Sequence, residues 1–449
     1  MKSLVFTAIS VALLQAGAVA AKGPSTVKPV PQSAAATQSN GKINSLRQAV
    51  KSAIANHPAL SAARNAQQAA ASGIDEAQAE LYPTIDLRAA AGRAQSENST
   101  TVNDGDQHRT MNPFESSLLI RQSLYSGGRI SNNIAKRKNS ASEAFYSFLN
   151  EKEKTVFDAI DVYLEYRRST FLVQLAKNNV KVHQDILATV SERKKSGMAR
   201  AADVVQVKGR LALATAQYRR ELANQASNSE QFIEVIGFKP TAKLSAADDM
   251  SKLLPKDLRV AKNEALLQHP LVKARKSNLE AAQSAVKEAD GAFRPQVALE
   301  LRAQENDNVS GSYSNDDSYS AMLVLNWNLF RGGGDKAIKR SRIFEAAQAE
   351  SLLLDEKRKI VRNTALAWND YSAILVELNY FLQHEKAMKE TLGAYKEQYK
   401  LNQRTLFDLL NAQNELFLAS SRVIETESAK ARGVYAIFGN MGNVSSKFE

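Results

Sequence analysis

The sequence has no cysteine, which excludes disulfide bonds, thiolate metal sites and cysteine nucleophiles. Proline is scarce and does not occur after Pro295. Between Arg129 and Ser196 the chain has neither proline nor glycine, the two residues that most often interrupt a helix. At 1.5 Å per residue this segment can form one helix of roughly 100 Å, far longer than a globular core requires.

Long apolar runs are missing as well. Beyond the N-terminus nothing approaches the ~18 consecutive apolar residues of a membrane-spanning helix. At the N-terminus Lys2 precedes an apolar stretch that ends at Leu14, and Ala18–Ala20 offers a small-residue cleavage site. This pattern predicts a secretory signal peptide over residues 1–20. The Pro-, Ser- and Ala-rich residues 21–42 have no hydrophobic period and predict a flexible leader.

The sequence also lacks motifs for catalysis or cofactor binding. The five histidines show no ligand spacing with carboxylates. His57 and His269 each precede a proline, which favours a shared turn over a metal site. Gly332–Lys336 is rich in glycine but lacks the G-x-x-x-x-G-K-[ST] pattern of a phosphate loop. We therefore predict a protein that is not an enzyme and that has no cofactor and no metal.

The charge pattern argues against a nucleic-acid partner. The net charge is +12, from 59 basic and 47 acidic residues. The signs alternate along the predicted helices, as in Glu151–Lys154 and Asp355–Arg358, and no basic cluster is interleaved with aromatic residues. This pattern is typical of a solvated helix surface.

Two glycine-rich junctions organise what is present. Each follows a segment of alternating polarity and opens a long helical pattern, first at Leu124–Arg129 and again at Leu329–Gly334. Glycine allows a strand and a helix to bend across one another without side-chain clash. We interpret both junctions as strand-to-helix joints. Their glycines are Gly127, Gly128, Gly332 and Gly333.

The order of motifs occurs twice along the chain. The His57 motif returns 212 residues later at His269, and the joint returns after 205 residues because the first hairpin is longer. We predict structural repeats over 43–240 and 257–440, separated by an equatorial linker over 241–256 and followed by a tail over 441–449. In chain order the repeats are expected to contain a β-hairpin at 84–125, a long helix at 128–195, a return helix at 199–236, a second hairpin at 296–329, a long helix at 334–401 and a return helix at 405–438, each hairpin being preceded by a further helix.

The predicted strands are about ten residues long, with one apolar and one polar face. Ile85 and Leu87 alternate with polar residues, as do Leu299 and Leu301, and the polar segment 95–115 is expected to be a loop. Such strands are typical of a transmembrane β-barrel. One chain supplies four strands, so closure requires two protomers with eight strands or three with twelve. A soluble four-stranded sheet with one wet face is the alternative.

These features together resemble the TolC family of outer-membrane channel proteins. The resemblance covers about 45–440 and rests on the duplicated order of helix, Tyr-Pro or Arg-Pro, hairpin, L-[YF]-x-G-G joint and helix, and on the turn regions Ser196–Val207 and Tyr399–Gln413. It implies a mainly α fold with a membrane β-barrel part: a homotrimer with a 12-stranded barrel in the outer-membrane lipid and an α-helical periplasmic tunnel. It also implies docking to a periplasmic adaptor and to an inner-membrane ABC or proton-driven transporter.

The resemblance assigns functional residues to the turns between the long and return helices. It implies a periplasmic gate in which Arg404 pairs with Asp203 and Tyr399 hydrogen-bonds to Asp203. It places a luminal selectivity ring at Asp408. A second acid expected one turn further is replaced by Asn411 here, so a doubled ring is not expected.

Three functions fit this sequence. The first is the exit channel of a type I protein secretion system, which the long leader and the Y/R-P repeats favour. The second is the same channel in a multidrug efflux pump. The third, from a different class, is a soluble periplasmic coiled-coil adaptor or structural rod without a barrel.

Overall fold

The structure is a computed structural model that describes residues 43–309 and 311–449. The predicted signal peptide and leader lie outside the described residues. The first half contains α1 (Leu46–Asn56), α2 (Pro58–Ala79), β1 (Thr84–Ala91), β2 (Ala94–Ser96), α3 (Ser99–Asn103), β3 (Arg109–Met111), β4 (Phe114–Tyr125), α4 (Arg129–Lys195) and α5 (Ala201–Ile236). The second half contains α6 (Leu258–Gln268), α7 (Pro270–Ala289), β5 (Gln296–Asp307), β6 (Asn315–Asn326), α8 (Gly334–Lys400) and α9 (Leu406–Met441).

Corresponding helices in the two halves match in length. The long helices α4 and α8 have 67 residues each, and the return helices α5 and α9 have 36 each. The short helices α1 and α6 have 11 residues each. Both end at a histidine whose extended backbone lets the following proline start the next helix. Across residues 43–309 and 311–449, no helix is both long and apolar enough to span a membrane.

The main sheet has the order β1-β4-β5-β6 and is antiparallel throughout. Its register aligns residues of one polarity across neighbouring strands. Ile120 lies opposite Ile85 on one side and Leu301 on the other, while Arg121 lies opposite Glu300 and forms a 3.4 Å ion pair with it. The sheet therefore has an apolar and a polar face, as the alternation predicts.

Among the described residues, no further strand pairs with either outer edge of this sheet. All eight residues of β1 are exposed. On the apolar face Leu87, Leu323 and Leu325 are 76%, 68% and 62% exposed. An open edge and a large exposed apolar face both favour a further binding partner.

The predicted loop at 95–115 is wrong in part, because it contains β2, α3 and β3. The reason is a contact between the two hairpin tips. Arg109 is buried and its guanidinium donates to Asp104 at 3.0 Å and to the Gly311 carbonyl at 2.9 Å. A buried cation paired in this way orders the surrounding polar chain. The contact spans about 200 residues of sequence, so local polarity does not reveal it.

The largest core lies halfway along the long helices. Its fully buried aromatic side chains include Tyr163 of α4, Phe232 of α5 and Phe438 of α9. The linker after α5 joins this core, because the Tyr163 hydroxyl donates to the Ser245 carbonyl at 2.9 Å. The residues after α9 also pack here, and the Ser445 N–H donates to buried Glu153 at 3.1 Å. The segment expected as a tail is thus part of an equatorial core.

Candidate functional site

The turns at the end of each long helix share one geometry. In the first turn Gly197 has a φ of 77°, and the Met198 N–H donates to the Arg193 carbonyl at 2.8 Å. In the second turn Asn402 has a φ of 60°, and the Gln403 N–H donates to the Gln398 carbonyl at 2.9 Å. Each is a left-handed helix C-cap, for which glycine and asparagine are the preferred residues. After each long helix the chain therefore reverses direction in a short turn and enters the return helix.

Two of the predicted site residues cap the return helices. Asp203 accepts a 2.9 Å hydrogen bond from the Arg200 N–H at the start of α5. At the start of α9, Asp408 accepts 2.8 Å from the Thr405 hydroxyl, and its own N–H donates back to that hydroxyl at 3.2 Å. Carboxylates in a first helical turn are stabilised by the helix dipole and by the free N–H groups. This local role explains why an acid occurs at both positions.

The two helix pairs are held together near the turns by an apolar cluster. Val190, Val207 and Leu410 are fully buried there. They come from α4, α5 and α9 in that order, so the cluster joins the first hairpin of helices to the second. Tyr399 of α8 packs at its edge and also against a second cluster around Leu409.

Arg193 provides a polar link between the two helix pairs that the sequence analysis missed. Its guanidinium lies 4.9 Å from the ring centroid of Tyr399, a cation–π distance. It also donates to the Tyr399 carbonyl at 3.4 Å and to the Asn402 side chain. Burial raises the pKa of the Tyr399 hydroxyl, and the nearby Asp203 charge adds to this rise while Arg193 opposes it. The basic run Arg193–Lys195 at the helix end was the available signal.

The predicted gate contacts are not formed inside the protomer. Arg404 stacks on Tyr395 with its guanidinium 4.2 Å from the ring centroid, and it lies 3.8 Å from Asp408. In the described part of the chain, neither Arg404 nor the Tyr399 hydroxyl bonds to Asp203. Arg404 precedes the N-cap Thr405 of α9, close to Asp408 in the first turn, and its Nε donates to the Gln398 side chain at 3.1 Å. The contacts of Arg404 and Tyr399 with Asp203 stay a prediction for the assembled channel.

A buried polar layer lies above the gate residues. Asn411, which replaces the expected acid, accepts a 3.0 Å hydrogen bond from Arg210 of α5. Gln413 donates to Asn179 of α4 at 3.2 Å. His183 is buried in the same helix, where burial and the charge of Arg210 lower its pKa. The asparagine therefore serves as a hydrogen-bond acceptor between α5 and α9.

The joints at the other end have the geometry the glycines predict. The φ angles of Gly127 and Gly332 are 65° and 56°, and those of Gly128 and Gly333 are 87° and 82°. These left-handed conformations are costly for residues with a Cβ.

Among the described residues, no group of three or more histidine, aspartate or glutamate side chains could hold a metal ion.

Solved structures of outer-membrane proteins share this fold. The chain is similar to the outer-membrane channel OprN, with a TM-score of 0.79 and 18% identity over 89% of this chain and 90% of that one. It is also similar to VceC from Vibrio cholerae, with a TM-score of 0.74 and 17% identity over 89% and 96% of the two chains. The predicted fold class, helical with a membrane β-barrel part, is confirmed.

Sequence comparison narrows this class to one family. The chain is 23% identical to the outer membrane efflux protein BepC of Brucella suis biovar 1 (strain 1330) over 330 residues, 73% of this chain and 72% of the relative. It is 22% identical to the outer membrane protein TolC of Salmonella enteritidis over 413 residues, 87% of this chain and 79% of the relative. The model of the outer membrane efflux protein family matches residues 49–237 and 261–442, and the chain belongs to that family.

Membership settles several of the predictions. The resemblance to the TolC family is confirmed, as is the outer-membrane location with a periplasmic tunnel. Proteins of this family are channels and not enzymes, as predicted. The protein is an outer-membrane efflux channel of this family. The interpretation as a soluble adaptor or rod is wrong.

Proposed function

We propose that the protein works as a homotrimer whose three sheets close into one 12-stranded barrel. Four strands per chain with two open edges support this assembly. A closed barrel leaves no unpaired edge in lipid. In this arrangement the apolar face containing Leu323 and Leu325 contacts lipid, and the polar face containing Arg121 and Glu300 lines the lumen.

The second part of the proposal is a gate at the helix turns. Its residues are Asp203, Tyr399 and Arg404 from the sequence analysis, together with Arg193. The observation that carries it is the weak polar link of Arg193 to Tyr399, which joins the two helix pairs where they reverse. A cation–π contact contributes about 0.5–2 kcal/mol, so three copies hold a closed state by only a few kcal/mol. A partner that prefers the open form can overcome this.

Two double variants test the gate in planar lipid bilayers. Arg193→Ser with Tyr399→Phe removes the link seen inside the protomer. Arg404→Ser with Tyr399→Phe removes the predicted contacts with Asp203. We expect each to raise single-channel conductance, and Lys194→Ser with Tyr399→Phe to be the control for the loss of one neighbouring cation. If both test variants conduct like the wild type, the turns are not the gate.

We propose that a periplasmic adaptor and an inner-membrane ABC or proton-driven transporter dock at this end. Exposed apolar side chains at the turns support a partner surface there. Met198 is 61% exposed and lies two residues before Arg200, and Leu401 is 67% exposed and follows Lys400. Two further relatives support a pump assembly by name: the probable efflux pump outer membrane protein SepC and the toluene efflux pump outer membrane protein TtgF, both of Pseudomonas putida strains.

For the cargo we propose small-molecule efflux, which the names of the relatives favour. Type I protein secretion is the second candidate, which the leader and the Y/R-P repeats favour. Deletion of the gene with two readouts separates them. Increased sensitivity to drugs with an unchanged profile of secreted proteins supports efflux, and the reverse result supports secretion. Re-expression of the intact gene is the control for both readouts.

A further inference from the structure

A strongly basic cleft lies where the sheet meets the long helices. Its volume is about 540 Å³, and it is formed by the start of α4, the end of α7 and the start of α8. Five cationic side chains line it: Arg129, Lys136, Arg294, Arg331 and Arg342. Only two acids, Glu288 and Asp335, line it as well. The lining therefore contains more cationic than acidic side chains, although Glu80, outside the lining, pairs with Arg129 at 2.6 Å.

Some of this charge is neutralised within the protein. Lys136 pairs with Glu288 at 2.6 Å, and Arg331 pairs with Asp335 at 3.3 Å. Arg294 is different, because within the part of the chain that the structure describes it has no ion-pair partner. Its guanidinium contacts only the joint, donating to the Gly127 carbonyl at 3.4 Å. Arg342 pairs with Glu345, which is half-exposed and outside the cleft. Arg294 is therefore free to bind another anion, and the ion pair of Arg342 is solvent-exposed and weak enough to exchange for one.

The backbone adds to the positive potential of the cleft. The helices α4 and α8 both begin here, each after a left-handed glycine. A helix N-terminus carries a partial positive charge and free N–H groups. In α4 the first turn contains no acid that would offset this charge. The first turn of α8 does contain an acid, Asp335. The start of α4 and the unpaired guanidinium of Arg294 therefore favour the same type of ligand, an anion.

The lining residues show on which face of the sheet the cleft lies. Gln296 and Asn326, which lie opposite each other in the sheet register, both line it. They occupy the polar face of β5 and β6, the face that also contains Glu300. In the barrel proposed above this face lines the lumen. Repeated in three protomers, the clefts form a basic ring at the inner base of the barrel.

We propose that this ring binds phosphate or carboxylate groups of solutes inside the channel. Arg294 and Arg342 are the principal binding residues, and guanidinium groups suit the geometry of both anions. The proposal rests on the proposed trimeric barrel. It gives the channel a cationic site at the barrel base in addition to the acidic positions at the turns.

Block of the channel by inorganic pyrophosphate tests the proposal. Pyrophosphate is added on the barrel side of single channels in planar bilayers of neutral phospholipid, and the half-blocking concentration is measured. Arg294→Gln with Arg342→Gln should raise that concentration at least about tenfold, because each charged hydrogen bond lost contributes a factor of this order. Arg340→Gln with Arg358→Gln changes the same charge on α8 outside the cleft and should leave the block unchanged.

The outcomes separate this inference from the channel proposal. Absence of any conductance contradicts the channel itself. Conductance without pyrophosphate block, or block that is equal in both double variants, overturns the anion site and leaves the channel intact. Repeating the measurement in bilayers with anionic phospholipid distinguishes the sources of phosphate. A luminal site gives the same block in both lipids, whereas loss of block in anionic lipid shows a lipid headgroup site and overturns the luminal assignment.

Discussion

The two strand-to-helix joints have the same backbone but different surroundings. A Cβ added to Gly127 would lie 2.8 Å from Arg294 Cβ and 3.0 Å from the Gly291 carbonyl oxygen. At Gly332 and Gly333, no atom of the residues that the structure describes lies within 4 Å of such a Cβ. The first joint is covered by the second repeat, whereas no part of the described protomer covers the second joint. The first repeat of a neighbouring protomer is the surface that corresponds to the missing cover.

The repeat offset identifies the residues of that cover. Shifting Gly291 and Arg294 back by 212 residues gives Ala79 and Tyr82. Tyr82 is 57% exposed in the protomer, and Phe330 beside the second joint is 84% exposed. Apolar side chains this exposed favour burial in an interface. In the proposed trimer we therefore expect Tyr82 of one protomer to cover the second joint of its neighbour.

The largest effect expected is that of alanine at the joints. Gly127→Ala combines a left-handed backbone with a clash and should cost about 2–5 kcal/mol. If a neighbour covers the second joint, Gly332→Ala should destabilise the proposed trimer by a similar free energy. This loss is measured as a lower temperature of trimer dissociation in detergent. Gly393→Ala, at an open position inside α8, should not destabilise it. A mild effect of Gly332→Ala beside a large effect of Gly127→Ala would show that the second joint stays open.

The two His-Pro turns allow a comparison by pH. Burial lowers the pKa of His269 to about 4, since Gly442 packs directly against its ring. A folded pKa below the unfolded value favours the neutral form, so this stability is complete above about pH 6.5 and is lost as the pH falls to 4. The loss approaches about 3 kcal/mol.

Thermal unfolding at pH 7.5 and 4.5 measures this term. His269→Asn keeps a side-chain acceptor for the helix start and should reduce the difference in midpoint between the two pH values. His57→Asn makes the same change at the equivalent turn of the first repeat and is the matched control. An unchanged pH dependence in His269→Asn would show that protonation of His269 does not cause the loss of stability.

A smaller effect is expected from the acids that begin the return helices. Asp203 and Asp408 are equivalent in the repeats, but only Asp408 is assigned to the luminal ring. A charge pair at 4 Å in water contributes about 1 kcal/mol, so loss of three charges should weaken block by a trivalent cation at least about tenfold. Asp408→Asn should show this effect, and Asp203→Asn should show less. Equal block in the two variants would place the ring elsewhere.

Much of the fold follows from local sequence signals. The absence of proline and glycine after Arg129 predicts the long helix, and the alternation of Leu299 and Leu301 with polar residues predicts which face of β5 is apolar. The two His-Pro motifs reveal the duplication. Each signal lies in neighbouring residues, where helix and strand periods are visible directly.

Features that depend on distant contacts escaped the sequence analysis. The folded first tip depends on Arg109 reaching Gly311 of the second hairpin. The link from Arg193 to Tyr399 also crosses about 200 residues of sequence. Arg404 was assigned to Asp203 by resemblance, but within the protomer it lies beside Asp408. Side-chain partners of this kind are set by packing, and the residue types alone leave several partners open.

The register between protomers tests the central claim most directly. In the protomer Arg121 of β4 lies opposite Glu300 of β5. The repeat offsets of 205 and 212 residues make Asn326 of β6 equivalent to Arg121, and Arg88 of β1 equivalent to Glu300. In the closed barrel Asn326 should therefore lie opposite Arg88 of the neighbouring protomer. In this cysteine-free chain, Asn326→Cys with Arg88→Cys should form a covalent trimer on oxidation, because paired strands bring Cα atoms within disulfide range. Gln296→Cys with Asn326→Cys, a pair inside the protomer, is the control for oxidation. A covalent trimer from the first variant is the expected result, and a monomer under conditions that oxidise the control would contradict the closed ring.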